Sequence, residues 1–183
     1  MLQNEQQLIK QCKQRSEKAM LHLYDNYCDA MFSVCKRYLK NHEDAKDAMQ
    51  EGFLKAFDSI HLYKSTHTFG AWIKRIVINQ CIDVLRQKQL DYSHVKAETL
   101  QVIDDINDWR IDGGITKYQI VEAIEKLNLK YKIVVKLFLI EGYDHEEISE
   151  ILQIPITTSR THLRRGRLKL KELLKEDYEA ARY

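Results

Sequence analysis

The chain has 183 residues, of which 44% are hydrophobic and 31% are charged, so it can bury one moderate core or two small ones in a soluble globular fold. One proline, six glycines and no alternating β-branched stretches between turn signals argue against a sheet protein and predict a nearly all-helical one. The net charge of +2 indicates no partner by itself, so the distribution of charge is the more informative property.

The first periodic stretch predicts a long core helix from Met20 to Leu39. Its apolar side chains at helical spacing are Met20, Tyr24, Tyr27, Cys28, Met31, Cys35, Tyr38 and Leu39. Cys28 and Cys35 lie seven residues apart on one face, and we expect both to be buried as small apolar side chains.

The next helix is predicted from about His42 to Ile60, with Asn41 as its N-cap. Its core-facing side chains are expected to be Ala45, Ala48, Met49, Gly52, Phe53, Ala56, Phe57 and Ile60. The opposite face carries Asp47, Gln50, Glu51, Leu54 and Asp58. Such a face suits a basic helical partner that covers Leu54 and pairs the carboxylates, although a solvated face with one exposed leucine fits the pattern equally well.

A polar loop at 63–68 precedes a helix predicted from Phe69 to about Lys88. Its inner stripe is expected to hold Phe69, Ile73, Ile76, Val77, Gln80 and Val84. A second stripe holds Trp72, Arg75, Asn79 and Arg86. An aromatic ring, guanidinium groups and an amide in one row could stack on, neutralise and read a single strand of nucleic acid. The alternative is that Trp72 is an ordinary core aromatic.

The helical spacing of apolar residues is lost from Asp91 to Ile115. This stretch contains six acidic and two basic residues, and Gly113 and Gly114 lie near its end. We interpret 91–115 as an acidic interdomain linker. Helical spacing resumes near Thr116 and continues to about Ile140. The prediction is therefore an all-α protein with helical domains at 1–90 and 116–183.

The second domain ends in the pattern of a helix-turn-helix. Asp144 and Glu147 form an N-cap signal for a short helix whose apolar side contains Ile148, Ile151 and Leu152. Because proline suits the first turn of a helix, a second helix is predicted to begin near Pro155 or Ile156.

This second helix has two chemically different faces. Its apolar stripe contains Ile156, Ser159, Leu163, Gly166, Leu170 and Leu174. The other side presents Thr158, Arg160, Thr161, Arg164 and Arg165. Between 156 and 175 there are seven basic residues and one acidic residue, which gives this segment a net charge of +6. A solvated basic face is possible on charge alone, but together with the cap and the short turn the pattern favours DNA recognition in a major groove.

The sequence offers no support for enzymatic chemistry or for a metal site. The four cysteines form no CxxC pair, and the seven histidines include no HExxH cluster. Residues 1–5 are polar and no apolar run could span a bilayer, so we expect no signal peptide, no membrane insertion and a location in the reducing cytoplasm. No cofactor is expected.

Three stretches in order resemble the extracytoplasmic-function sigma factors. Residues 44–57 (DAKDAMQEGFLKAF) are similar to region 2.2, and residues 69–79 (FGAWIKRIVIN) with Asp83 and Arg86 to regions 2.3–2.4. Residues 143–152 (YDHEEISEIL) with 160–167 (RTHLRRGR) resemble region 4.2. The resemblance covers nearly the whole chain and implies a sigma2-like domain, the linker and a sigma4-like domain.

The resemblance also implies partners and roles. Core RNA polymerase would be bound through its β′ clamp helices and β flap, with Asp47, Gln50, Glu51 and Leu54 on the clamp helices. The unwound −10 element of promoter DNA would be held by Tyr63, Phe69, Trp72, Arg75, Asn79 and Arg86, with a flipped base captured at the 63–69 loop. The −35 duplex would be read by Arg160, Thr161 and Arg164, with Thr158 and Arg165 on phosphates. The linker would run toward the RNA exit path, and an anti-sigma factor, often membrane-anchored, would inhibit the protein.

Three departures from the family pattern fall in the second domain. The proline usual after Leu127 is missing, Gln153 replaces the usual turn glycine, and Thr157 replaces another common glycine. The competing interpretation of the whole chain is a stand-alone regulator that dimerises through its N-terminal helices and binds a palindromic site without polymerase.

Overall fold

A computed structural model describes the backbone of residues 2–91 and 115–180 and the side chains of 5–88 and 115–175. Within these ranges all regular structure is helical, as predicted, and the helices form two separate compact units. The predicted linker lies outside the described residues from 92 to 114. No helix in the described ranges combines the length and the apolar character needed to cross a bilayer.

The first unit contains four helices. These are α1 (Leu2–Lys13), α2 (Glu17–Tyr38), α3 (His42–Asp58) and α4 (Phe69–Asp91), with a 3-10 turn at Ile60–Leu62. The predicted cap is present, since the Asn41 side chain accepts hydrogen bonds from the backbone N–H groups of Glu43 and Asp44 at 2.8 and 3.1 Å. The helix that it begins ends at Asp58, two residues earlier than expected.

Helices α3 and α4 approach each other closely at Gly52. A Cβ atom there would lie 2.8 Å from Val77 Cγ2 and 3.2 Å from Val77 Cα, so only glycine permits this contact without a shift. Helix α4 packs against both α2 and α3. For that reason Ile78, Cys81 and Ile82 are buried in addition to the predicted Phe69, Ile73 and Val77.

Several predicted core positions need correction. Cys28 is only half-buried, because its side of α2 borders solvent, whereas Cys35 is buried as expected. The other predicted core side chains that are only half-buried are Met20, Tyr24 and Tyr27 of α2, Phe57 of α3, and Ile76, Gln80 and Val84 of α4. A stripe predicted from spacing alone is least certain for side chains at the edge of a helix face.

The second unit contains the remaining helices. These are α5 (Lys117–Lys126), α6 (Leu129–Val135), which continues as a π-helical turn at Lys136–Ile140, α7 (His145–Leu152) and α8 (Ile156–Ala180). Asn128 is the N-cap of α6, and its side chain accepts a hydrogen bond from the Lys130 N–H at 3.3 Å. Asn128 occupies the position after Leu127 where the family usually has proline. Asp144 and Glu147 form the predicted capping box of α7.

Helices α7 and α8 form the predicted helix-turn-helix. Gln153 occupies the glycine position of the turn in a left-handed conformation, with φ 55°. The Ser149 hydroxyl donates to the Ile154 carbonyl at 2.6 Å, which closes the turn. The turn geometry is therefore retained without glycine.

The apolar stripe of α8 is buried as predicted, with one exception. Ile156 remains 37% exposed, because side chains tilt toward the helix N-terminus and that of the first residue projects beyond the packed part of the helix. A Cβ atom at Gly166 would lie 2.6 Å from Val135 Cγ2, so α6 and α8 are in close contact there. This contact supports the basic helix from behind.

Candidate polymerase and promoter interfaces

The acidic face of α3 is exposed. Leu54 has 61% of its surface accessible, and Asp47, Gln50 and Glu51 around it are also exposed. The flanks of α3 are covered by α2 and α4, so this face alone remains for a partner. A central apolar side chain surrounded by carboxylates is suited to a basic surface that can desolvate the leucine.

Polar contacts hold α3 in place beside α4. The Lys55 amine donates to Gln80 Oε1 at 2.5 Å, and Lys88 forms an ion pair with Asp44. Both contacts lie on the α4 side of α3, away from Leu54. The acidic face is thus presented on a rigid element rather than on a loop.

Two of the six residues predicted for the −10 element are buried. Tyr63 and Phe69 are 6% and 0% exposed, and their rings pack edge to face at 5.6 Å. The Tyr63 hydroxyl donates to the His67 carbonyl at 2.7 Å. In this structure both side chains support the 63–69 loop instead of presenting a surface to DNA, because the loop folds back over the start of α4.

Trp72 and the other three residues lie along one side of α4 at different depths. The Trp72 ring is half-buried and rests on Tyr63 and Phe69, with centroid distances of 5.3 and 5.6 Å. Arg75 and Asn79 are half-buried, with Asn79 Oδ1 itself buried, and Arg86 is exposed within 4.0 Å of Asp83. Trp72 is therefore partly packed on the two buried rings and partly open to solvent.

A cleft of about 630 Å³ opens between α1 and the 63–69 loop. Lys10 and Lys13 of α1 lie on one side, and His67 and Thr68 lie on the other. The Lys13 amine donates to the Tyr63 carbonyl at 2.8 Å and so ties α1 to the loop. This wall, on which Glu5 accompanies the two lysines, was not predicted, since α1 buries only a short stripe that includes Ile9 and Cys12, and so few apolar positions give a weak periodic signal.

The five residues predicted for the −35 duplex lie on the accessible side of α8. Arg160 and Thr161 are exposed, and Thr158, Arg164 and Arg165 are half-buried. The Thr161 hydroxyl donates to the Thr157 carbonyl at 2.9 Å, which leaves its oxygen lone pairs available as acceptors. Threonine oxygens and arginine forks on one helix face are the groups that contact base edges and phosphates in a major groove.

The two helices of the helix-turn-helix are joined by a polar contact in their interface. His145 Nδ1 of α7 lies 2.9 Å from the hydroxyl of the fully buried Ser159 of α8. Burial lowers the pKa of His145, the positive charge of Arg160 lowers it further, Asp144 opposes the shift, and Arg167 adds to it. The contact between His145 and Ser159 thus helps to set the angle at which α8 is presented.

A part-buried ion network joins α5 to α6 and its π-helical turn. Glu125 of α5 binds Lys136 at 2.6 Å and Lys132 at 3.3 Å. Burial alone raises the pKa of Glu125, but the hydrogen bonds and charges of the two lysines outweigh this effect and hold the pKa below its usual value. Across the described residues, no group of three or more His, Cys, Asp or Glu side chains is arranged to bind a metal ion.

Comparison with known families matches both units. Residues 23–90 match Sigma-70 region 2, and residues 117–170 match Sigma-70, region 4. The chain is 32% identical over 179 residues to the ECF RNA polymerase sigma factor SigW of Bacillus subtilis, covering 92% of this chain and 95% of the relative. It is 29% identical over 160 residues to the ECF RNA polymerase sigma factor SigE of Mycolicibacterium smegmatis, covering 83% of this chain and 60% of that one.

Solved structures share the fold. The sigma factor RpoE in complex with the anti-sigma factor NepR from Bartonella quintana superposes with a TM-score of 0.58 at 20% identity, over 86% of this chain and 98% of that one. CnrH in complex with the cytosolic domain of CnrY gives 0.59 at 20% identity, over 93% and 96%. At this identity the likeness concerns the fold alone.

The two matched regions occupy separate helical units. Region 2 contains the candidate residues on α3, on α4 and in the loop between them, and region 4 contains those on α8. Together with the similarity to SigW over nearly its whole length, this shows that the chain belongs to the extracytoplasmic-function sigma factors of RNA polymerase. A sigma factor directs the polymerase to promoters and takes part in the initiation of transcription.

Proposed function

We propose that the protein binds core RNA polymerase through the acidic face of α3, holds the unwound −10 element on α4 and reads the −35 duplex with α8. The observation that carries this proposal is Leu54, an apolar side chain 61% exposed at the centre of exposed Asp47, Gln50 and Glu51. A promoter-specific DNA-binding protein that acts alone has no need of such a face. The functional domains would span 1–90 and 116–183.

The contact with core polymerase is expected at the clamp helices of the β′ subunit. Leu54 would insert into a desolvated pocket, and Asp47 and Glu51 would pair basic side chains at its rim, where they guide association more than they add affinity. The second unit would contact the β flap. The acidic linker at 91–115 would follow the RNA exit path, where a net negative charge can occupy a channel built for nucleic acid.

Promoter opening is assigned to the first unit. Trp72 would offer a stacking surface for an unpaired base, Arg75 and Arg86 would neutralise phosphates, and Asn79 would hydrogen-bond a base edge. The cleft beside the 63–69 loop is large enough to receive a flipped base, and Lys10 is one of the residues that line it. Tyr63 and Phe69 would act by supporting Trp72 from beneath.

Recognition of the −35 element is assigned to α8. Arg160, Thr161 and Arg164 would contact base edges in the major groove, and Thr158 and Arg165 would bind phosphates. Base contacts supply specificity of roughly 1–3 kcal/mol each, whereas phosphate contacts position the protein and supply salt-dependent affinity.

Regulation is proposed to involve an anti-sigma factor, which could be anchored in a membrane. RpoE and CnrH, whose folds resemble this one, were each solved in complex with such a protein or with the cytosolic domain of a partner. We propose that the sigma factor itself acts in the cytoplasm and carries out no bond chemistry, which belongs to the polymerase.

Run-off transcription tests the proposal. The full-length protein is mixed with core polymerase of its parent organism and with fragments of the parent genome. Specific transcripts that require the protein, together with its co-elution with core enzyme, are the expected result. If the protein fails to join core polymerase but binds a palindromic duplex tightly as a dimer, the stand-alone regulator is the correct interpretation.

A further inference from the structure

Helix α6 places a lysine beside the basic helix. The Lys130 amine lies 5.0 Å from the centre of the Tyr131 ring, and the Tyr131 ring packs edge to face on His162 of α8 at 5.6 Å. Tyr131 is buried, so this stack is a fixed part of the second unit. Lys130 itself is exposed.

Lys130 and Arg165 share one electrostatic environment although they come from different helices. Burial lowers the pKa of His162, and the positive charges of Lys130 and Arg165 lower it further. Lys130 reaches the side of His162 through the Tyr131 ring, and Arg165 lies one helical turn from His162 on the same helix. Together they form a positively charged ridge along one side of α8, which we call the α6 ridge.

The helical positions of α8 define the direction of the α6 ridge. At 100° per residue, Thr158, His162 and Arg165 lie on the side of α8 next to α6. Arg160 and Arg167 lie on the other side, where the Arg167 guanidinium lies 5.5 Å from the ring of Phe138, which packs on His145 of α7 at 4.9 Å. The face between these sides contains Thr161 and Arg164, and Arg160 borders it on the α7 side; these three are the residues proposed to meet base edges.

A helix in a major groove is bordered by phosphates on both sides. The groove is about 12 Å wide and a helix with its side chains about 10–12 Å across, so residues at the sides of the helix meet the sugar-phosphate backbone. On one side this backbone would meet α7, the first helix of the helix-turn-helix. On the other side it would meet the α6 ridge.

We propose that Lys130 is a further DNA-positioning residue, which binds a backbone phosphate beside the −35 element together with Arg165 and Thr158. The inference rests on the proposed function of α8 and extends the DNA-binding surface beyond the helix-turn-helix to α6. Lys130 supplies affinity and register without reading sequence, since a phosphate contact carries no base information. Tyr131 and His162 act as spacers that hold its aliphatic stem against α8.

The test compares salt dependence in the reconstituted holoenzyme. Binding to a fluorescent duplex that contains the −35 element of a promoter found by run-off transcription is measured from low to high KCl for wild type, Lys130→Gln and Lys130→Arg. Loss of one phosphate contact should reduce the slope of log K against log salt by about 0.9 and weaken binding about fivefold at ~0.15 M salt. Lys130→Arg should restore the slope.

The matched control is Lys117→Gln, which removes an exposed lysine from the first turn of α5 and makes the same change in net charge. Base preference at the −35 element should be unchanged in Lys130→Gln, and thermal unfolding should show that the second unit is intact. A slope equal to that of wild type, or a change no larger than that of Lys117→Gln, would overturn the assignment. If the wild-type holoenzyme bound no promoter, the proposed function would fail instead, so the two failures are distinguishable.

Discussion

The exposed faces of α3 and α8 use opposite chemistry. The α3 face places one leucine among carboxylates and an amide, whereas α8 spreads arginines and threonines along several turns. An interface centred on one desolvated apolar side chain depends steeply on that residue. An interface made of several charged contacts loses only part of its affinity when one of these contacts is removed. The two surfaces should therefore respond very differently to single substitutions.

The largest effect is expected for Leu54→Asp. A carboxylate at the centre of a buried contact would be desolvated without a partner, so co-purification with core polymerase should be abolished. Leu62→Asp is the matched control, because Leu62 is also 61% exposed in the first unit but lies on the 3-10 turn. Normal core binding by Leu54→Asp would contradict the clamp-helix assignment.

The second prediction compares a part-buried group of ion pairs in the second unit with an exposed ion pair in the first. Glu125 stabilises the second unit through Lys136 and Lys132, so Glu125→Gln should destabilise that unit by about 1–3 kcal/mol near neutral pH. Asp58→Asn, which removes the exposed 3.3 Å pair with Arg15 in the first unit, should cost less than about 1 kcal/mol.

The pH dependence of the Glu125 contribution has a defined sign. The pKa of Glu125 is lowered in the folded protein, so its stabilising effect is fully present above the unfolded pKa of about 4.3 and is lost as pH falls through the folded value. Thermal unfolding between pH 3 and 7 should give a flatter profile for Glu125→Gln than for wild type. Parallel profiles would show that the pair does not stabilise the fold.

Arg164→Ala should have a graded effect. Loss of one base contact should weaken −35 recognition by roughly 1–3 kcal/mol and relax base preference at one position, while core binding is spared. Lys171→Ala, an exposed position farther along α8, serves as control and should leave base preference intact. Initiation at wild-type levels from every promoter by Arg164→Ala would mean that α8 lies differently in the groove.

The smallest effect is expected for Asn79→Ala. Removal of one base-edge contact on α4 should slow promoter opening severalfold without changing duplex binding, because the −35 contacts are on another unit. Permanganate footprinting of unpaired thymines measures opening directly, with the exposed α4 residue Gln87 changed to alanine as control. Equal thymine reactivity in both variants would remove Asn79 from the −10 surface.

Much of the fold could be predicted because its signals are local. The Asn41 cap and the Asp144 and Glu147 capping box involve residues at most three positions apart, and they begin helices where expected. The acidic face of α3 and the basic face of α8 also follow from spacing alone. Gln153 shows the limit of this approach, since its left-handed conformation is decided by the packing of α7 on α8.

The sequence by itself determined the helices α2, α3, α4, α7 and α8, the caps at Asn41 and Asp144 and the sign of charge on the faces of α3 and α8, because these depend on neighbours within one or two helical turns. The tertiary structure alone decided that Tyr63 and Phe69 are buried beneath Trp72, that α1 forms one wall of the cleft and that Tyr131 connects Lys130 of α6 to His162 of α8. Each of these features brings together residues from separate elements. No local pattern encodes them, because burial and proximity depend on how whole helices pack.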